Sequence, residues 1–136
     1  MNYLLDTNVC IALLNGDNER VRIKFERALD TGHSVHLSSI VLFELWYGIS
    51  KSIRAEKNRA SLMEFLAPIQ ITEFDSEDAR IAGAQRAALE KLGRPIGPYD
   101  LFIAGQALRR DWTLVSANIA EFSRIRGLSR EDWARG

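Results

Sequence analysis

The chain has 136 residues, 46% of them apolar and 26% charged, which is the composition of a folded globular domain and excludes a disordered chain. Its 18 basic and 18 acidic residues cancel, which argues against a polycationic nucleic-acid coat while leaving room for a local basic patch. No run approaches the roughly 20 apolar residues of a membrane span, Met1 to Asp6 carries no basic signal-peptide region, and the lone Cys10 excludes a disulfide framework or a Cys-based zinc site.

The expectation is therefore one cytoplasmic domain over residues 1–136, with Cys10 as a small buried hydrophobe. Tyr3-Leu4-Leu5 is short, apolar and stopped by Asp6, the pattern of a buried strand. Asp6-Thr7-Asn8 offers N-cap chemistry for a helix over Val9 to Leu14, which Asn15-Gly16 ends. Asp17-Asn18 caps a second helix, with Val21, Phe25 and Leu29 on one face and Thr31-Gly32 as its stop. Val35-His36-Leu37 reads as a strand, and Ser38-Ser39 caps a helix from Ile40 to about Ile49. A polar helix from Arg54 to Leu66 ends at Pro68, and Ile69 to Phe74 alternates like a strand. Asp75 or Ser76 opens a long helix to Leu92, with Ile81, Gln85, Ala88 and Leu92 on one face. After the Gly93 to Pro98 loop comes an apolar helix, Leu101 to Arg110, with Asp100 at its N-terminus. Thr113-Leu114-Val115 is a last buried strand, and the tail from Phe122 is poorly specified. Short apolar strands alternating with helices predict an α/β three-layer domain with a mostly parallel central sheet.

Ligands of open α/β sheets bind outside the carboxyl ends of the strands. Asp6, Ser38-Ser39 and Ser116-Ala117-Asn118 follow three of the predicted strands, and Asp100 heads a helix after a Gly-Pro turn. Each also has a plain reading: Asp6 as an N-cap, Asp100 as a first-turn acid complementing the helix dipole, Asn118 as a turn residue. Glu44 is harder to dismiss. Its helix is apolar nearly all round, and its neighbours Ile40, Val41, Tyr47 and Gly48 include no base. A buried carboxylate there needs a proton, a distant basic residue or a cation. Acids gathered at one edge repel unless a positive charge sits among them. Oxygen ligands without Cys or His select Mg²⁺ or Mn²⁺, and such a cation serves phosphodiester hydrolysis if the acids converge.

The blocks Leu4-Leu5-Asp6-Thr7-Asn8, Leu37 to Leu45 with Tyr47-Gly48, Ile96 to Ala104, and Leu114 to Asn118 with Glu121-Phe122 together resemble a PIN domain of the VapC toxin type. The closing Gly127 to Trp133 is similar to that family's tail. The resemblance spans nearly the whole chain and implies an acidic cluster of Asp6, Glu44 and Asp100 around Mg²⁺, or Mn²⁺ in its place. It implies Asp6 and Asp100 as direct ligands and Glu44 as the group that orients the attacking water or contacts the cation through water. The fourth block departs from the broader pattern, with Ser116 for Thr and Asn118 for Asp. Asn118 cannot supply charge, so it is given a water- or phosphate-positioning role, and a second cation is put in doubt. Thr7, Asn8, Ser39 and Ser116 are expected to support the acids.

The resemblance further implies a type II toxin: a metal-dependent endoribonuclease leaving 5′-phosphate and 3′-hydroxyl ends, acting on tRNA or another structured RNA. It implies a homodimer neutralised by a VapB-type antitoxin in a larger hetero-oligomer, with DNA contacted only through the antitoxin and no membrane association. Arg86, Lys91 and Arg94, and Lys51, Arg54, Lys57 and Arg59, are either phosphate-binding groups at the rim or solvated helix faces. Trp46, Tyr47, Phe25 and Leu29 are either core, the preferred assignment, or an antitoxin groove. His33 and His36 lie far in sequence from every acid motif. A degenerate PIN fold that only binds RNA or protein is the alternative. A haloacid-dehalogenase reading of Asp6-Thr7 fails because Asn8 stands where a second Asp is needed.

Overall fold

The computed structural model describes residues 1–135. Five strands, β1 (Asn2–Leu5), β2 (Ser34–Ser38), β3 (Gln70–Thr72), β4 (Thr113–Val115) and β5 (Arg130–Glu131), form one sheet in the order β3-β2-β1-β4-β5. Every pairing is parallel, with Leu4 opposite both His36 and Leu114. The centre of such a sheet is covered on both faces, and Leu4, Leu5, Leu37, Leu114 and Val115 are wholly buried. The helices are α1 (Thr7–Asn15), α2 (Glu19–Asp30), α3 (Ser39–Ser50), α4 (Ala55–Leu66), α5 (Ser76–Lys91), α6 (Pro98–Arg110) and the short α7 (Ile119–Phe122). No helix among the described residues is long and apolar enough to cross a membrane.

The chain builds outward from β1 through β2 to β3, then returns to lay β4 and β5 on the other side of β1. Right-handed crossovers in opposite directions place helices on both faces and leave a crevice where the direction reverses, between β1 and β4. Asp6 follows β1 and Ser116 follows β4 at that crevice.

The caps form largely as expected. The Asp6 carboxylate accepts from the Val9 amide and Asn18 from the Val21 amide, while Gly16 ends α1 at φ 67°, in the left-handed region that glycine enters freely. Ser38 caps α3. Asp75 and Asp78 form a reciprocal capping box at the start of α5.

Four expectations need correction. The strand predicted over Ile69 to Phe74 shrinks to Gln70–Thr72, and Ile71 is exposed; β3 is an edge strand, so no second neighbour demands alternation. The buried face of α5 is Asp78, Ala82 and Leu89, and Ala88 and Leu92 are exposed. That face is chosen by α6: a Cβ on Gly105 would lie 2.8 Å from Ala82 Cβ, so the helices meet at small residues. The helix also carries its Asp78 into ion pairs with Arg109 and Arg110. Helix α3 is not buried all round; only Val41 and Leu45 are, while Phe43 and Tyr47 face outward. Finally, the tail is ordered: Leu114 donates to Ser129 and Ser116 to Glu131, adding β5 to the sheet and burying Ile125, Leu128 and Trp133.

Candidate functional site

Three elements carry the predicted acids. Asp6 is the first residue past β1 and is held there by its own role as the N-cap of α1, with Oδ1 2.9 Å from the Val9 nitrogen. Glu44 sits in the second turn of α3 and is half-buried. Asp100 is the third residue of α6, which starts at Pro98 with its ring at the first helical position, where no amide hydrogen is needed. Thr7, the residue after Asp6, connects the first two elements: its hydroxyl donates to Glu44 Oε1 at 2.6 Å.

The acids share one electrostatic neighbourhood. Burial, followed by the charges of Glu121, Asp6 and Glu44, raises the Asp100 pKa from 3.8 to about 6. Burial also raises the Asp6 carboxyl, the charges of Glu44 and Asp132 add to that, and the Ser116 hydroxyl and Val9 amide oppose it. Among the described residues, none of Asp6, Glu44 and Asp100 is in an ion pair with Lys or Arg. The side chains do not preassemble into a three-ligand cage among the described residues. The donor set is nonetheless all oxygen and all anionic, the chemistry of a hard cation such as Mg²⁺, which keeps several waters and needs only one or two carboxylates.

The other expected residues divide. Thr7 bonds Glu44, and Ser116 is fully buried beside Asp6, its Oγ accepting from the Asn118 amide at 2.9 Å. Ser39 lies at the start of α3, but its hydroxyl accepts from the Phe74 amide and so ties α3 to the chain beyond β3. Asn8 is exposed on α1. Asn118 precedes α7 and donates through Nδ2 to Glu121 Oε2 at 2.8 Å. Glu121 also accepts from the Gly97 amide at 3.1 Å, which fastens the turn before Asp100 to the end of β4.

Sequence reasoning named Glu121 without placing it in the cluster. Its spacing three residues after Asn118, at the head of a short helix, is the available signal. Asp132 had no local signal; it reaches Asp6 because β5 docks on β4.

Two clefts lie on the surface, and Glu44 lines the first of them. A cleft of about 300 Å³ between α1, α3 and α4 is lined by Ile11, Leu14, Leu45 and Ile49, with Asn58 and Ser61 at its wall. A second cleft of about 430 Å³ lies between α5 and α6 under Ile96, Leu101 and Phe102. Of the aromatic residues read as core or groove, Phe25 is buried against Phe65, whereas Tyr47 is 59% exposed. The preferred core assignment of Tyr47 is thereby corrected: its ring faces outward from α3.

The chain matches the PIN domain family over residues 3–128. It is 39% identical over 133 residues to the tRNA(fMet)-specific endonuclease VapC of Salmonella typhimurium, covering 98% of both chains. It is 40% identical over 133 residues to ribonuclease VapC2 of Rickettsia felis, again 98% of both. Among solved structures, VapBC2 from Rickettsia felis bound to a DNA fragment from the promoter matches with a TM-score of 0.92 and 38% identity, over 98% of this chain and 99% of that one. DNA-bound VapBC from Salmonella typhimurium matches with a TM-score of 0.90 and 38% identity, over 98% of each chain.

Proposed function

The chain belongs to the PIN domain family as a VapC-type ribonuclease, the toxin of a toxin–antitoxin pair, and we propose that Asp6, Glu44 and Asp100 form its catalytic centre. What supports this is the repulsion among Asp6, Glu44 and Asp100, which come from three separate elements, the Thr7 bond to Glu44, and the lack of any Lys or Arg paired to them among the described residues. Mg²⁺ is the cation whose chemistry fits the donors, with Mn²⁺ as a substitute. Bound by Asp6 and Asp100, it would stabilise charge on the phosphate and acidify water for attack.

The protein's own groups do the positioning. The Val9 amide and Ser116 orient Asp6 and oppose the rise in its pKa that burial causes. Thr7 occupies Glu44 Oε1, so the remaining oxygen orients the attacking water. Glu121, braced by Asn118 and Gly97, sets the height of the α6 N-terminus and adds negative charge opposite Asp100. Asn118 thus acts through Glu121. This arrangement serves hydrolysis of an RNA phosphodiester to 5′-phosphate and 3′-hydroxyl ends.

A structured RNA such as tRNA is the proposed substrate, in line with the relative named for tRNA(fMet). The proposed compartment is the cytoplasm. A VapB-type antitoxin is the partner, consistent with the VapBC complexes among the matched structures. We place its inhibitory segment in the apolar cleft beside Glu44, from which a basic side chain reaches the acids. A homodimer is the proposed assembly of the toxin, and DNA contact, seen in the two VapBC complexes, is left to the antitoxin.

The test is cleavage of total tRNA with Mg²⁺ by the wild-type chain, Asp6→Asn and Asp100→Asn, with folding checked by circular dichroism. Loss of cleavage in both folded variants is expected. Near-normal cleavage by either removes that residue from the centre, and absence of Mg²⁺-dependent cleavage by the wild type favours the binding-only alternative.

A further inference from the structure

Asp100 is mounted on an exposed turn. Gly93 to Pro98 leads from α5 into α6, and of residues 93–98 only Ile96 is partly buried. On its α5 side the turn borders the cleft of about 430 Å³ that Pro95, Ile96 and Pro98 help to line, so packing supports it incompletely there. Residues 95–97 have few bonds of their own. Pro95 has no amide hydrogen, and the Gly97 carbonyl accepts from Leu101 at the start of α6. The two other bonds of residues 95–97 among the described residues run to a single segment. The Gly97 amide donates to Glu121 Oε1 at 3.1 Å, and the Pro95 carbonyl accepts from Arg124 Nη1 at 2.9 Å.

That segment is itself fixed to the frame of the site. Phe122 and Ile125, on either side of Ser123 and Arg124, are 0% and 1% exposed. The segment follows β4, whose Leu114 and Val115 pair with Leu4 and Leu5 of β1. The Val115 carbonyl also accepts from the Asp6 amide at 3.1 Å. Arg124 thus ties the mount of Asp100 to the strand pair that carries Asp6. Its Nε is shut off from water and bonds no other group among the described residues. A buried donor without a partner costs free energy, so this conformation does little for local stability. What it secures is the position of the Pro95 carbonyl.

We propose that Arg124 is a positioning residue for RNA cleavage: together with Glu121 it clamps the turn before α6 and so fixes the distance between Asp100 and Asp6. Arginine suits the task because its guanidinium is planar, always charged and presents its donors in fixed directions. A displacement of about 1 Å at a reacting centre can cost about 100-fold in rate. A turn released from α7 would therefore slow cleavage without unfolding the protein. A contact to substrate phosphate is the poorer assignment, since Nη1 is committed to Pro95 and Nε lies out of reach of solvent. The clamp deepens the ribonuclease reading and rests on it.

The test uses the full chain with two substitutions. Arg124→Met keeps the aliphatic stem and removes every donor, whereas Arg124→Lys keeps one charged donor. Amide hydrogen exchange followed by NMR in EDTA reads the clamp without cleavage. Arg124→Met should speed exchange at Gly97 by at least about tenfold and leave the buried Leu4 and Leu114 amides unchanged. With Mg²⁺ and tRNA, kcat of Arg124→Met should fall about tenfold with KM within about twofold of wild type, and Arg124→Lys should recover to within about threefold. Unchanged exchange at Gly97, or a wild-type kcat, in Arg124→Met overturns the proposal. So does a raised KM with unchanged kcat and a flatter salt dependence, which would assign Arg124 to the RNA phosphates. Faster exchange at Leu4 and Leu114 as well overturns it too, because general loosening would then explain the slower cleavage. Retained cleavage in Asp100→Asn would undo the catalytic centre, while the exchange result at Gly97 stands or falls by itself.

Discussion

Replacing Asp100 by Asn should stabilise the cation-free protein at neutral pH while destroying its activity. The carboxyl titrates at about 6 instead of 3.8, pushed up by burial and then by Glu121, Asp6 and Glu44. A raised folded-state pKa means that the folded protein binds more protons than the unfolded chain between these two values. The charge penalty is therefore absent below the unfolded pKa, grows as pH rises through the window and is complete above about 6. At roughly 1.4 kcal/mol per unit the shift converts to about 3 kcal/mol. Asp100 is only half-buried, so screening reduces this to on the order of 1–2 kcal/mol. Asn keeps the shape and removes the charge. Urea denaturation in EDTA should show Asp100→Asn more stable than wild type by about that amount near pH 7.5, with the difference gone near pH 4. Mg²⁺ should then stabilise the wild type and leave the variant nearly unchanged, since only a state that binds the cation gains from it. Equal stabilities near pH 7.5 in EDTA, or a less stable variant there, would refute the claim that these acids repel one another across the crevice.

Other substitutions probe the scaffold that holds the site. Thr7→Ala removes the hydroxyl that fixes Glu44 at 2.6 Å; kcat for RNA cleavage should fall about tenfold with KM little changed, and Thr7→Ser should restore it. Asp78 is fully buried against Arg109 and Arg110 and accepts from the Asp75 amide, while Asp75 also pairs with both arginines, so Asp78→Ala should cost about 1–3 kcal/mol in denaturant titrations by removing its share of these bonds. Gly105→Ala would normally strengthen a helix interior by about 1 kcal/mol. Here the new Cβ falls 2.8 Å from Ala82 Cβ and 2.9 Å from Ala82 Cα, so a loss of about 1–3 kcal/mol is expected, partly recovered by adding Ala82→Gly.

The amino-acid sequence alone determined the parts of this protein that depend on near neighbours. Asp6 closes a buried strand and caps α1, Ser38 caps α3, and Pro98 places Asp100 in the first turn of α6, all through contacts within a few residues. The ordered blocks around those acids also identified the family, because each acid stands beside the strand end or helix start that presents it. Tertiary structure decided whatever depends on distant partners. Period alone could not select the face of α5, because the small-residue contact with Gly105 and the pairing of Asp78 with Arg109 come from 20 or more residues away. An apolar sequence could not reveal that α3 turns Phe43 and Tyr47 outward, since exposure is set by which helices pack over it. Glu121 and Asp132 join the acids only when β4 and β5 close the sheet beside β1. Capping and periodicity act over one or two turns of chain, whereas burial and charge act through space, so a charged crevice exists only once the sheet is assembled.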